Sequence, residues 1–383
     1  MYSGRATAVK KALGKFASAL FSLVVAVPAV AGEYSGSISS TIGNEEIGGN
    51  VRYTPMPQIF GGVTKKHDSD FPWKSTTVNI GFETPNEKGR TMFEDGTGLR
   101  PREISVALRG IGGCTDFTAG MSEPAFNSAS HAWRQNFYEF SPSVLPDEVA
   151  FAHGLILRHI IGAGLRHNIN CGANGKGYVE GHLLYRAPAQ LRTTFGQSVE
   201  PPVGLTATSL IPSYRLAAGS ETVFDERTIL RYGLNVTHLQ EGVVDGVRIS
   251  WPQTSVLASA LLEHKFDNGI LLRGFAEGGH IRNGNGNPAH SGTYMNASAH
   301  AVVPVWQRLS LIFAAFGAKN PSPYNFFGRE VAGAEAGFEW PVVKTDSMLV
   351  GVTYKHGFYY VWGNEREGVH QGSQALLRLE HRF

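Results

Sequence analysis

The chain ends on Ala375-Leu376-Leu377-Arg378-Leu379-Glu380-His381-Arg382-Phe383. Successive side chains of an extended strand point to opposite sides, so Ala375, Leu377, Leu379, His381 and Phe383 share one face while Arg378, Glu380 and Arg382 share the other. The segment reads as a strand with an apolar face and a charged face.

Upstream, the same period of two recurs in segments of roughly 9–13 residues separated by Gly, Asn, Asp, Pro and Ser clusters. Met348, Val350, Val352, Tyr354, His356, Phe358, Tyr360 and Trp362 oppose Gly351, Thr353, Lys355 and Gly357. Ala332, Ala334, Ala336, Phe338, Trp340 and Val342 oppose Glu335 and Glu339, and Lys344-Thr345-Asp346 makes the return that joins these two strands into a hairpin. Met295, Ala297, Ala299, Ala301, Val303 and Val305 oppose Tyr294, Asn296, Ser298 and His300, with Pro304 tolerable only near a strand end. A further hairpin runs through Asp267-Asn268-Gly269, with Glu263, Lys265, Arg273 and Glu277 on its polar face, and Leu230, Tyr232, Leu234 and Val236 oppose Arg231. Residues 151–165 and 177–194 read as extended with blurred alternation, whereas 86–100 and 120–143 read as long loops.

The composition agrees with such a pattern. Of 383 residues, 42% are hydrophobic, 11% aromatic and 17% charged, against roughly 25% charged in soluble globular chains. Global disorder is excluded. The formal charge of +2 includes four basic and no acidic residues in positions 1–31, so the remainder carries 30 basic against 32 acidic groups and offers nothing to a nucleic acid. The basic stretch Lys10-Lys11-Ala12-Leu13-Gly14-Lys15, the apolar run from Phe16 to Val30 and the small residues Ala29-Val30-Ala31 read as a signal peptide cleaved after Ala31. Past that point no apolar run is long enough for a spanning helix.

An extended chain can cross lipid only in a closed barrel, whose strands need about 9–11 residues and must turn their ionisable groups away from the lipid. The segments above have that length and that charge placement. Together with the signal peptide, the repeated hairpins and Leu377-x-Leu379-x-His381-x-Phe383, the chain resembles Gram-negative outer-membrane β-barrel proteins over residues 150–383. The resemblance implies that Phe383 is the C-terminal aromatic read by the barrel-assembly machinery, with His381 standing where the family more often has an apolar or aromatic residue. It implies contact with outer-membrane lipid as well.

The expected architecture is therefore all-β, a closed antiparallel transmembrane barrel of 12–16 strands with 14 favoured, formed by residues 32–383. Its inward face would carry Arg231, Lys265, Arg273, Lys355, Arg378 and Arg382 against Glu263, Glu277, Glu335, Glu339 and Glu380. Such a mixed-charge lumen would pass small polar solutes or an exported polymer, without a cofactor. A salt-bridged interior that merely fills a closed structural or surface-interaction barrel is the alternative reading of the same residues. Cys114 and Cys171 are the two cysteines, and in an oxidising compartment they can close a 57-residue loop worth about 3–4 kcal/mol. That bridge is expected to hold an inward-folded constriction built from the long segments before residue 150.

An outer-membrane lipid hydrolase would need a Ser nucleophile beside a His base; His67-Asp68-Ser69-Asp70 and His290-Ser291 are the local candidates, both among turn residues. No catalytic residue is assigned. His153, His159 and His167 share a parity, but six- and eight-residue spacings put them roughly 20 Å or more apart on a strand, so they do not share a metal ion. Nothing in the sequence reports the oligomeric state.

Overall fold

A computed structural model describes residues 33–47, 50–53, 56–68, 71–83, 100–122, 160–169, 177–185, 213–239, 242–244, 247–249, 253–283, 291–319, 330–362 and 367–382, with backbone alone for 33–60, 82–83, 100–103, 121–122, 160–161, 184–185, 239, 242–244, 247–249, 253, 361, 374 and 376. Sixteen long strands dominate. The first seven are β1 (Glu33–Ile47), β2 (Met56–Lys66), β3 (Ser75–Glu83), β4 (Arg100–Ile111), β5 (Thr115–Ser122), β6 (Ile160–Ile169) and β7 (Gly177–Tyr185). They are followed by β8 (Ser213–Val223), β9 (Thr228–Leu239), β10 (Gln253–Lys265), β11 (Leu271–Arg282) and β12 (Gly292–Trp306). The last four are β13 (Leu309–Lys319), β14 (Glu330–Lys344), β15 (Met348–Trp362) and β16 (Gly368–Arg382).

Each strand pairs antiparallel with the next, and β1 pairs with β16 from Ser37↔Arg382 to Ile47↔Gly372, so the sheet closes on itself. Closure leaves no unpaired edge, which is what an extended chain requires in lipid. A short strand, Asn50–Tyr53, extends the β2 side of β1, and Gly242–Val244 pairs with Val247–Ile249 in a separate hairpin between β9 and β10. The strand number is sixteen, at the top of the expected range and two above the favoured value. Strands outside the segments read from alternation include β1, β2, β5 and β8.

The two ends of the barrel differ. At one end the connections are short: 112–114, 224–227, 266–270, 307–308 and 345–347. At the other lie 84–99, 123–159 and 186–212, all outside the described residues. Local chemistry sets the short turns. Asp225 Oδ1 accepts hydrogen bonds from the backbone N–H groups of Arg227 at 2.7 Å and Thr228 at 2.6 Å. In the expected Asp267-Asn268-Gly269 turn, Gly269 takes φ +83° and donates its N–H to the Phe266 carbonyl at 3.0 Å. Thr345 both donates to and accepts from Met348 at the β14–β15 turn. Pro304 lies two residues before the end of β12, beside a register shift, where a missing backbone donor is tolerated.

Face assignment follows the expected parity. Leu234, Val256, Leu262, Met295, Phe313, Tyr354, Leu377 and Leu379 are exposed on the outside, while Asn235, Leu257, Leu261, Tyr294, Ile312 and Lys355 are buried on the inside. On β8 to β16 the outward positions carry Asp, Glu, Lys or Arg only as the first or last residue of a strand, at Arg282, Lys319 and Glu330, while a register shift sets Lys344, the last residue of β14, opposite the inward Leu349. A belt without charge between charged rims is what a hydrocarbon layer imposes.

Candidate functional site

The inward face of β8 to β11 holds a ladder of opposite charges. Arg231 lies directly opposite Glu221 in the β8–β9 register and donates its Nε–H to Glu221 Oε2 at 2.7 Å. Its Nη1 reaches Glu263 on β10, and Glu263 Oε1 accepts from Arg273 Nε on β11 at 2.8 Å. Four groups on four consecutive strands are thus linked, each about 13–16% exposed and so partly shielded from water. Charge-assisted bonds of this kind hold side chains in fixed positions along a wall.

The ladder continues around the barrel. Arg273 faces His300 on β12, His300 faces Ala314 on β13, and Ala314 faces Glu335 on β14. Glu277, Glu335, Glu339 and Lys355 are all buried on the inward side, as expected from the sequence. Lys265 projects inward by parity from the end of β10, where it is exposed. On β16, Glu380 accepts from Arg378 Nη2 and Arg382 Nε, both at 2.6 Å, forming a small acidic-centred cluster at the short-turn mouth. All eleven inward candidates therefore lie on the inner face, though in separate groups along the barrel.

A second cluster was not anticipated. Glu180 on β7 bonds His182 Nε2 at 2.6 Å and lies 3.9 Å from both Arg166 on β6 and Arg215 on β8. Arg166 stacks over the Tyr178 ring at 4.0 Å, and Arg215 donates its Nε–H to Asn235 Oδ1 at 2.9 Å. Arg215 and Glu221 were legible: β8 alternates Tyr214, Leu216 and Ala218 against Arg215, Ala217 and Glu221. Glu180 was harder to find, since Gly181 stands at an outward position where an apolar residue would have marked the face.

Cys114 is disulfide-bonded and lies in the 112–114 turn between β4 and β5, where its carbonyl accepts from the backbone and side-chain nitrogens of Asn168 at 2.9 and 3.2 Å. Cys171, the other cysteine, falls outside the described residues, two positions past the end of β6. In chain order, Cys114 precedes β5 and residues 123–159 follow it.

Of the assembly segment, Leu377, Leu379 and His381 face outward at the end of β16, and Phe383 lies outside the described residues. His67 sits in a short-turn connection, with Nε2 2.9 Å from Thr76 Oγ1 and its ring stacked on Phe71 at 4.4 Å; Ser69 is outside the described residues. Ser291 Oγ accepts from the Asn283 backbone N–H at 2.8 Å, and His290 also lies outside them.

No protein-family model matches the chain, and no curated protein matches it. Solved structures do. OmpF of Salmonella typhi in complex with daunomycin aligns with a TM-score of 0.57 at 10% identity, covering 92% of this chain and 97% of that one. The outer membrane channel DcaP of Acinetobacter baumannii gives 0.56 at 12%, covering 92% and 96%. An anion-selective porin from Comamonas acidovorans gives 0.55 at 11%, covering 92% and 99%.

The chain has the fold of a porin-like outer-membrane β-barrel. That fold, here with an outer belt charged only at its rims, is the fold of Gram-negative outer-membrane proteins. The porin-like barrel exposes its apolar side chains on that outer face and holds the Glu221–Arg231–Glu263–Arg273 ladder within.

Proposed function

We propose that this barrel is a channel through which small polar solutes or an exported polymer cross the outer membrane. The observation that carries this reading is the inward ladder Glu221–Arg231–Glu263–Arg273 on four consecutive strands of a closed barrel. Fixed charges of both signs along one wall give a solute path a transverse field, and rings of such charge govern what passes. The fold shared with porins and outer-membrane channels supports the reading. A constriction formed by the long segments before residue 150 belongs to the proposal too, and so does the pairing of Cys114 with Cys171 that would hold it. Assembly through Phe383 completes it.

A liposome-swelling series tests the function. Neutral sugars of increasing size should enter protein-containing vesicles at rates that fall steeply with size, and vesicles with heat-modifiable, folded protein that admit none of them would reject the channel.

A further inference from the structure

The charged ladder is only one band of the inner wall. One step further from the short-turn end, the β-register lines up a different set: Leu261 faces Phe275, Phe275 faces Ser298, and Ser298 faces Phe316. Phe316 then faces Gly333, Gly333 faces Tyr359, and Tyr359 faces His370, whose ring stacks on it at 5.5 Å. All belong to the inward parity. The band crosses seven consecutive strands, β10 to β16, which at about 4.8 Å per strand is about 29 Å of wall.

Three features mark it as a built element. Gly333 keeps it continuous: a methyl group there would lie 2.7 Å from Phe316 Cζ and 2.7 Å from Tyr359 Cβ, so the aromatic side chains close over the glycine. Its neighbours on β10 to β12 are polar. The row toward the short turns holds Glu263, Arg273, His300, Ala314 and Glu335, and the row on the other side runs Ser259, Glu277 and Asn296 and then Ala318 and Val331. The outer face at the same height reverses the usual distribution of bulk, with Ala260, Ala276, Ala297, Gly317 and Ala332 in register toward lipid. Lipid contact would favour large apolar groups outside, yet here they stand inside, and Leu261, Phe275 and Tyr359 are 1%, 3% and 6% exposed. These three side chains are covered by protein, and Phe316 is the half-buried ring of the band.

Resting on the channel reading, we infer that the band is a specificity element for solutes that carry an aromatic ring beside charged or polar groups. The ring exchanges water for offset or edge contacts with the half-buried Phe316, while the adjacent charged row receives its ionic groups. Small, strongly hydrated solutes lose hydration in the same stretch and gain nothing in return, so they are slowed.

Liposome swelling with two zwitterions separates this from plain sieving. Phenylalanine is bulkier than glutamine, so an unselective pore passes glutamine faster. The band should reverse the order, with phenylalanine faster by about two- to tenfold. Replacing the band by Phe275→Ser, Phe316→Ser and Tyr359→Ser should bring the ratio below one. Ser298→Phe, which fills the gap between Phe275 and Phe316, should raise it and guards against a triple variant that does not fold. Wild-type protein that passes glutamine at least as fast, or a ratio that neither variant moves, overturns the band as a specificity element and leaves the channel standing. Folded protein that admits neither zwitterion nor any sugar overturns the channel itself.

Discussion

Glu263 accepts a hydrogen bond from Arg273 at 2.8 Å across the β10–β11 pair, directly opposite it in the register, while its other oxygen serves Arg231 from the β9 side. One carboxylate therefore anchors two guanidinium groups on the inner wall. Removing it leaves two positive charges close together, which shifts both stability and the field.

Glu263→Gln should thus move the reversal potential of the channel under a salt gradient toward anion preference. It should also destabilise the folded barrel by about 1–3 kcal/mol, the range for losing hydrogen bonds to charged groups. Bilayer recordings and a urea titration of vesicle-inserted protein check the two effects separately.

A charge placed in the outer belt should cost more than one placed inside. Ala297→Lys sits mid-belt on β12 with its side chain toward lipid. It should destabilise by about 2–4 kcal/mol. Asn296→Lys, one residue away and inward, should cost clearly less. Folding yield into vesicles across a denaturant series distinguishes them, and equal losses would contradict the face assignment.

Because the bridge from Cys114 would hold the proposed constriction, Cys114→Ser should lower stability and shift the solute-size cutoff. By chain entropy the loss is about 3–4 kcal/mol for a loop of the length that Cys171 would close. A cutoff that stays the same on reduction would separate the cysteines from the constriction.

Asp225, in the β8–β9 turn, has its carboxyl held below the usual aspartate range, first by the backbone N–H of Arg227 and then by the Thr228 hydroxyl. A depressed folded-state value means that the stabilisation is present above the unfolded carboxyl's range and is lost as pH falls through the folded one. Asp225→Ala should therefore speed hydrogen exchange at the Arg227 and Thr228 amides at neutral pH. Its difference from wild type should shrink on acidification.

Much of this was legible in the residues. From β9 to β16, one apolar face and one polar face are forced by lipid outside and charge inside, so period two survives and even the parity of Lys355, Glu335 and Glu380 can be read. The first strand was passed over: Tyr34, Ile38 and Ile42 alternate with Ser35, Ser37, Ser39 and Thr41, but Glu45 and Glu46 put charge on both faces near its end. The aromatic band was hidden for another reason. Phe275, Phe316 and Tyr359 are apolar residues at inward positions, and only the cross-strand register joins them. The Glu180 cluster likewise depends on neighbours that sequence separates, from Arg166 to Arg215.

Single-channel recording of the refolded protein in a planar bilayer tests the central claim, that the closed barrel is a conducting path, most directly. Discrete, uniform current steps from heat-modifiable protein, with a reversal potential that moves toward anion preference in Glu263→Gln, are the predicted result. A silent bilayer containing demonstrably folded, inserted barrel would contradict it.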